Sequence, residues 1–181
     1  MMCARTTGFR EAFTLLELMT CVVIILILST MLIGTFQKMR SRAETASCEQ
    51  NLKSLYVGAS AFIQDQGHWP QVDPKLLAGG ETEYALAWIA ALEPYKISRQ
   101  SWLCPTVQRE LGNPDFNAAD KTRIDYIASP FDAEPRSPYK WSTQPWFIER
   151  AGGHEGGNRI IFPDGKIVPL EEVKRTLAPV Q

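Results

Sequence analysis

The sequence predicts an α+β fold: a long N-terminal helix, membrane-spanning in its first half, packed through its second half on a small antiparallel sheet with irregular loops. Three observations carry this. Residues 18 to 37 contain no charge. Beyond them, apolar residues recur at spacings of three and four as far as Ile63. Near the other end, short β-rich runs flank Asp164-Gly165.

The apolar run comes first. A helix rises about 1.5 Å per residue, so twenty uncharged residues span roughly 30 Å, the thickness of a bilayer core. That exceeds a signal-peptide apolar region of about 7–15 residues. Arg5 and Arg10 precede the run, offset in part by Glu11, and Lys38, Arg40 and Arg42 follow it. These charges set no clear orientation. Size does: 12 residues precede Phe13, and more than 130 follow the run. Glu17 sits at the front edge of the run. An ionisable group there is a functional candidate by default.

The helical pattern continues. Cys48, Leu52, Leu55, Tyr56, Ala59, Phe62 and Ile63 form one apolar face, while Arg42, Glu44, Glu49, Gln50 and Lys53 mostly occupy the other. Gly67 and Pro70 end the helix. One helix over about 15–66 follows, with a soft spot at Gly34. Tyr84, Leu86, Trp88, Ile89 and Leu92 predict a second helix over 82–93, ended by Pro94. Residues 105–145 are rich in Pro, Asp and Asn and hold one strand candidate, 123–128. A further strand is expected over 145–151. Asp164-Gly165 is a two-residue hairpin signal, with Pro163 placing that hairpin near a sheet edge. "EEVKRTL" predicts a closing helix.

The net charge of −1 provides no basic excess for a nucleic-acid partner. The cysteines are Cys3, Cys21, Cys48 and Cys104, with no CxxC pair and no zinc spacing. In an oxidising compartment Cys48 and Cys104 could form a disulfide; otherwise they are two separate buried thiols. The two histidines are His68 and His154. No GxSxG or reactive-cysteine pattern accompanies them, so no catalytic residues, no metal ligands and no enzyme are expected. His154 is read as ordering its glycine-flanked loop through backbone bonds. Asp115, Asp120, Asp125, Asp132 and Asp164 could supply oxygen ligands to calcium but form no EF-hand. No other cofactor is expected. Trp141 and Trp146 suggest a partner patch, or core packing of at least one.

"AFTLLELM", residues 12–19, resembles the processing site of type IV prepilins and type II secretion pseudopilins. That family is cut by a prepilin peptidase before a Phe, which is then N-methylated, and carries a Glu at mature position five. Here Phe13 matches position one and Glu17 position five, with Ala12 where the family usually has Gly. Phe62, Asp65, Gly67, Trp69 and Pro70 fit the helix-ending run common in pseudopilins. "CEQNLKSL" and "SWLCP" are similar to a subgroup with a Cys-x-x-Asn-Leu helix start and a later Cys-Pro. His154, nine residues, then Asp164-Gly165, with Asn158 and Phe162 between, matches a processing-associated C-terminal motif. The resemblance covers about residues 9–70 and 145–168.

It implies a pilin-like fold in three parts: a cleaved leader, 1–12; a transmembrane and filament-core helix, 13–42; and a periplasmic globular domain, 43–181. It implies cleavage between Ala12 and Phe13, methylation of Phe13, and pairing of Glu17 with a neighbouring subunit's amine during assembly. It implies a Cys48–Cys104 disulfide. The expected partners are the prepilin peptidase, other pseudopilin subunits and the inner-membrane assembly platform, and the expected role is structural, in a type II secretion-like pseudopilus that drives protein export. A minor type IV pilus subunit for adhesion or DNA uptake is the nearest alternative. A membrane-anchored periplasmic binding module is the alternative from another class.

Overall fold

The computed structural model describes residues 14–115, 122–150, 154 and 157–177. Helix α1 (Leu15–Gln66) is continuous through Gly34, so the expected soft spot is not a break. One glycine costs about 1 kcal/mol of helix propensity, which the flanking Leu, Ile and Met residues offset. The chain divides into two compact units, one through Arg40 and one from Ser41, two residues before the boundary expected from sequence. In the first, every described residue is exposed, and the helix is long and apolar enough to cross a membrane.

In the second unit α1 buries Cys48, Leu52, Leu55, Gly58, Ala59 and Ile63. The 3.6-residue period explains this selection, and Tyr56 and Phe62 flank the stripe half-buried. Gly67 ends the helix with φ +76° and its N–H on the Ile63 carbonyl at 2.9 Å. Helix α2 (Lys75–Gly79) leads into α3 (Glu81–Leu92), which buries Tyr84, Ala85, Trp88, Ile89 and Leu92. Pro94 lies in a 3₁₀ turn, Glu93–Tyr95, that closes this helix. A second 3₁₀ turn, Arg99–Trp102, precedes α4 (Pro105–Leu111). This last helix falls within the stretch from which the sequence yields only a strand.

The sheet is an antiparallel meander in chain order: β1 (Tyr126–Ala128), β2 (Phe147–Glu149), β3 (Arg159–Ile161) and β4 (Ile167–Pro169). Tyr126 faces Glu149, Phe147 faces Ile161 and Ile160 faces Val168. A short helix, α5 (Ser137–Lys140), lies between β1 and β2, and α6 (Leu170–Leu177) follows β4. The fold is thus α+β, with a long apolar N-terminal helix and a small antiparallel sheet.

The hairpin differs from the two-residue form. The Gly165 N–H bonds the Phe162 carbonyl at 2.9 Å, and the Phe162 N–H bonds the Lys166 carbonyl at 3.0 Å. The loop is therefore Pro163-Asp164-Gly165, with Gly165 at φ +76°. Pro163 explains the change. Its ring fixes φ near −65°, which fits the first central position of an ordinary turn, and it has no N–H to give the Lys166 carbonyl, the bond a two-residue Asp-Gly turn needs from the residue before it.

The core is aromatic. Trp69, Trp88, Trp102, Trp146 and Phe147 are all at or below 2% exposure. Trp69 meets Trp146 edge-on at 5.1 Å and Trp88 at 5.9 Å. Trp146 belongs to this core and donates its indole N–H to the Pro138 carbonyl at 2.9 Å, whereas Trp141 is exposed.

Candidate functional site

Four chemically active side chains meet against the second half of α1: Cys48, Cys104, Glu149 and His154. All four are buried, and one ligand-capable atom from each lies within 4.8 Å of the others. Cys48 comes from the buried stripe of α1. Cys104 caps α4, whose first residue, Pro105, sits where a missing N–H costs no helical bond. Two bonds place it: Asn51 donates to the Leu103 carbonyl, and the Cys104 N–H donates to the Asp125 carboxylate, both at 2.8 Å. Glu149 ends β2 on the same face as Phe147, because strand side chains alternate. His154 follows in the connection to β3.

The two sulfurs lie 2.8 Å apart as free thiols. His154 Nε2 lies 2.9 Å from Glu149 Oε1 and 3.4 Å from Cys104 Sγ. Its other nitrogen, Nδ1, lies 3.3 Å from Thr45 Oγ1 and 3.4 Å from Thr106 Oγ1. Both hydroxyls donate elsewhere, Thr45 to the Ser41 carbonyl and Thr106 to Glu44, so they accept from Nδ1–H. The second Glu149 oxygen accepts the Arg159 N–H at 2.9 Å. Among the described residues the His154 ring meets side chains, and the backbone bond of this loop runs from the Gly157 N–H to the His154 carbonyl at 3.0 Å. Gly152, Gly153 and Gly156 lie outside the described residues.

The charges follow from these contacts. The sulfur of Cys104 and the carboxylate of Glu149 hold the His154 pKa up at about 9. The Cys48 thiol and His154 draw Cys104 down to about 6, while Cys48, donating to it in a buried place, is pushed far up. Burial opposes ionisation of Glu149, but its bonds to His154 and the Arg159 N–H, with the charge on His154, outweigh that and hold its pKa below the usual range. These directions favour a thiolate at Cys104, a thiol at Cys48, an imidazolium at His154 and a carboxylate at Glu149.

This constellation does not form a nucleophile–base–orienter relay. A relay places the nucleophile on one imidazole nitrogen and the orienting acid on the other. Here Cys104 and Glu149 share Nε2, and Cys104 is fully buried. Sequence reasoning missed Glu149. The signal was present: in the expected strand it falls two residues after Phe147, on the inward face.

The stretch that carries the C-terminal motif ties the hairpin to the end of β2 and to α1. Asn158 donates to the carbonyls of Glu149 and Arg150 at 2.9 and 3.1 Å. Arg159 pairs with Glu49 at 3.2 Å, and the Tyr56 hydroxyl donates to the Pro163 carbonyl at 2.9 Å. From residue 49 to 56, α1 rises about 10 Å, and from 159 to 163 an extended chain advances about 13 Å. Asp164 accepts the Lys166 N–H at 2.9 Å as a turn residue.

Among the described residues, the aspartates named for calcium belong to no group of three or more candidate ligands. Asp125 is occupied by Cys104 and Arg123, and Asp132 accepts the Glu134 N–H. Among the described residues, the only group of three or more candidate ligand side chains is the cysteine–histidine–glutamate cluster. Asp120 lies outside the described residues. His68 bonds the Trp69 carbonyl at 2.8 Å.

At the N-terminal end, Ala12 and Phe13 lie outside the described residues. Glu17 accepts the Thr14 N–H at 3.1 Å and the Thr14 hydroxyl at 2.9 Å, while the Glu17 N–H reaches Thr14 Oγ1 at 3.3 Å. This is a capping box spelled Thr-Leu-Leu-Glu, a role the sequence signals but which charge reasoning alone overlooks. Comparison of the chain with family models, curated proteins and solved structures finds no match.

Proposed function

We propose that this chain is a structural, non-enzymatic subunit of a type II secretion-like pseudopilus. In this reading a prepilin peptidase removes residues 1–12 and N-methylates Phe13. Residues 13–42 anchor the subunit in the inner membrane, and the domain from residue 43 onward lies in the periplasm. The subunit then leaves the membrane for a filament shared with other pseudopilins on the inner-membrane assembly platform. The observation that carries the reading is the exposed apolar unit of α1 with its acidic residue, Glu17, within the first turn. The continuous helix, extending into a domain with a small antiparallel sheet, supports it.

Transfer of that apolar unit from lipid to filament gains little hydrophobic free energy, because lipid is already apolar. Register must come from packing and from a directional pair. Glu17 would exchange its contact with Thr14 for the amine of a neighbouring subunit. Two variants separate capping from pairing. Glu17→Gln keeps acceptors for the Thr14 N–H but removes the charge; Glu17→Ala removes both. The expected outcome is membrane insertion of both and filament incorporation of neither, read by crosslinking and sheared-fibre immunoblots. Normal incorporation of Glu17→Gln would sink the pairing. Mass spectrometry should find a mature chain beginning with N-methyl-Phe13, and a chain retaining Met1 would overturn the reading.

A further inference from the structure

We propose that Cys48, Cys104, Glu149 and His154 form a tetrahedral binding site for a borderline-soft divalent metal ion of the Zn2+ class. Two cysteines, a histidine and a carboxylate are a donor set that Zn2+ accepts, in the four-coordinate geometry of its structural sites. The four come from α1, the cap of α4, the end of β2 and the connection to β3, and their ligand atoms lie within 4.8 Å of one another.

The surroundings support ligation as well as the donors do. Metal-bound histidines usually donate their other ring N–H to a fixed acceptor. Here Thr45 and Thr106 present oxygens to His154 Nδ1 at 3.3 and 3.4 Å, which leaves Nε2 aimed at the cluster. The Glu149 oxygen turned away from Nε2 accepts the Arg159 N–H at 2.9 Å, which orients its partner oxygen inward. Thr45, one of these supports, also lines a surface cleft of about 280 Å³ with Glu49 and Arg159.

A disulfide alone accounts for less of this. It needs two sulfurs, and it does not require a buried imidazole and a fully buried carboxylate on top of them. Burying such an ion pair is costly enough that an apolar pair is often as good or better. A bound ion gives each of the four groups a use. The fit requires two adjustments, and the smaller is that His154 Nε2 and Glu149 Oε1, now 2.9 Å apart, open to about 3.3 Å. With metal–sulfur bonds of about 2.3 Å and tetrahedral angles, the sulfurs sit about 3.8 Å apart. They lie 2.8 Å apart here, so they must separate by about 1 Å, while the 3.4 Å between Cys104 Sγ and His154 Nε2 already suits a shared ion. Loading transfers the remaining thiol proton and the imidazolium proton to solvent. It leaves two thiolates, a neutral imidazole and a carboxylate on the metal.

The test uses the full chain in detergent, with Cys3 and Cys21 replaced by Ser, reduced and stripped with chelator, then titrated with Co2+. The expected result is saturation at one Co2+ per chain, with thiolate-to-metal charge transfer, tetrahedral d–d bands, and displacement by one equivalent of Zn2+. Glu149→Gln should weaken binding at least about tenfold with far-UV circular dichroism unchanged. Should that variant unfold, the titration of the unaltered site still decides. Absence of the thiolate–Co2+ spectrum from folded, reduced chain overturns the proposal. So does a chain recovered from membranes, with thiols blocked during lysis, in which Cys48 and Cys104 are joined to each other and no metal is present.

Discussion

Gly58→Ala should destabilise this protein, and the same change should stabilise it once Ile97 is shortened. A Cβ built on Gly58 falls 2.4 Å from Ile97 Cγ1 and 2.7 Å from Cδ1, yet 3.8 Å from Ile97 Cβ. The first two distances are collisions and the third is ordinary contact. Alanine in a helix interior gains about 0.5–1 kcal/mol over glycine. Forcing a methyl into a filled place costs about 1–3 kcal/mol, and Ile97, branched at Cβ, has few rotamers with which to retreat. The single variant should therefore lose roughly 1 kcal/mol, within a range of about 0–2.5. Ile97→Ala removes both colliding atoms at a cost of about 2–5 kcal/mol, at the low end because the side chain keeps 8% exposure. In that background Gly58→Ala meets only Cβ, partly fills the hole, and should recover about 0.5–1 kcal/mol. The coupling energy is thus about 1–3 kcal/mol, measurable as a double-mutant cycle from urea midpoints at constant slope. The same sign of Gly58→Ala in both backgrounds, or coupling under about 0.5 kcal/mol, would refute the reasoning. The contact bears on the site, because it holds the segment that carries Cys104 onto α1.

Other outcomes follow from the same contacts. Gly165→Ala should cost about 1–2 kcal/mol through its φ of +76°, since its Cβ would sit at an ordinary 3.6 Å from Tyr56; urea unfolding reads this, and a cost below about 0.3 would exclude the strained turn. Glu149→Ala in reduced, metal-free chain should cost more than the about 1–3 kcal/mol of Glu149→Gln, because it leaves the buried Arg159 N–H without its acceptor and His154 with Cys104 alone, and equal costs for the two would contradict this. The Tyr95 hydroxyl bonds Asp65 at 2.8 Å and depresses its folded pKa, so that stability is present above the unfolded value near 4 and lost as pH falls through the folded one. Tyr95→Phe should lower the melting temperature at neutral pH and leave it unchanged below the folded Asp65 pKa, so that the acid limb of a melting-temperature–pH curve flattens; an unchanged acid limb would rule the linkage out.

What the sequence makes legible depends on how far each signal reaches along the chain. Helix α1 could be read because a twenty-residue uncharged apolar run passes into a periodic apolar face that Gly67 ends. Helix α4 could not: seven residues bury only Thr106 and Val107, too few to show a periodic face. The turn was half legible. Asp164-Gly165 marks its place, but Pro163 decides its type, because it has no N–H to close a two-residue loop and its φ suits the first central position of a longer one. For the site, local spacing excluded a thiolate–metal motif because such motifs place their cysteines close together. This cluster instead joins residues 48, 104, 149 and 154, and only the meander beside α1 assembles them. Glu149 was within reach by strand alternation. The partners of His154 were not, because Thr45 is 109 residues away in the chain.

The cluster also answers a mechanical need of this fold. Each of the four strands is three residues long, so the ladder alone offers few bonds to hold the sheet in place. Side chains must fix it to α1, and the cluster does so at one end of β3, while Tyr56 and Pro163 do so at the other. Linking Cys48 to Cys104 spans 56 residues, which in a chain-entropy account stabilises by about 4 kcal/mol, whether sulfur or metal makes the link. Against a total of about 5–15 kcal/mol, that is enough to decide whether the domain stays folded. Cys48 lies about two turns beyond Arg40 on one unbroken helix. In the proposed assembly the apolar unit is drawn from membrane into filament, and any axial load on it reaches the domain through those two turns. A link at Cys48 receives that load before the rest of the buried stripe does, and Cys48 is the first fully buried residue that α1 offers.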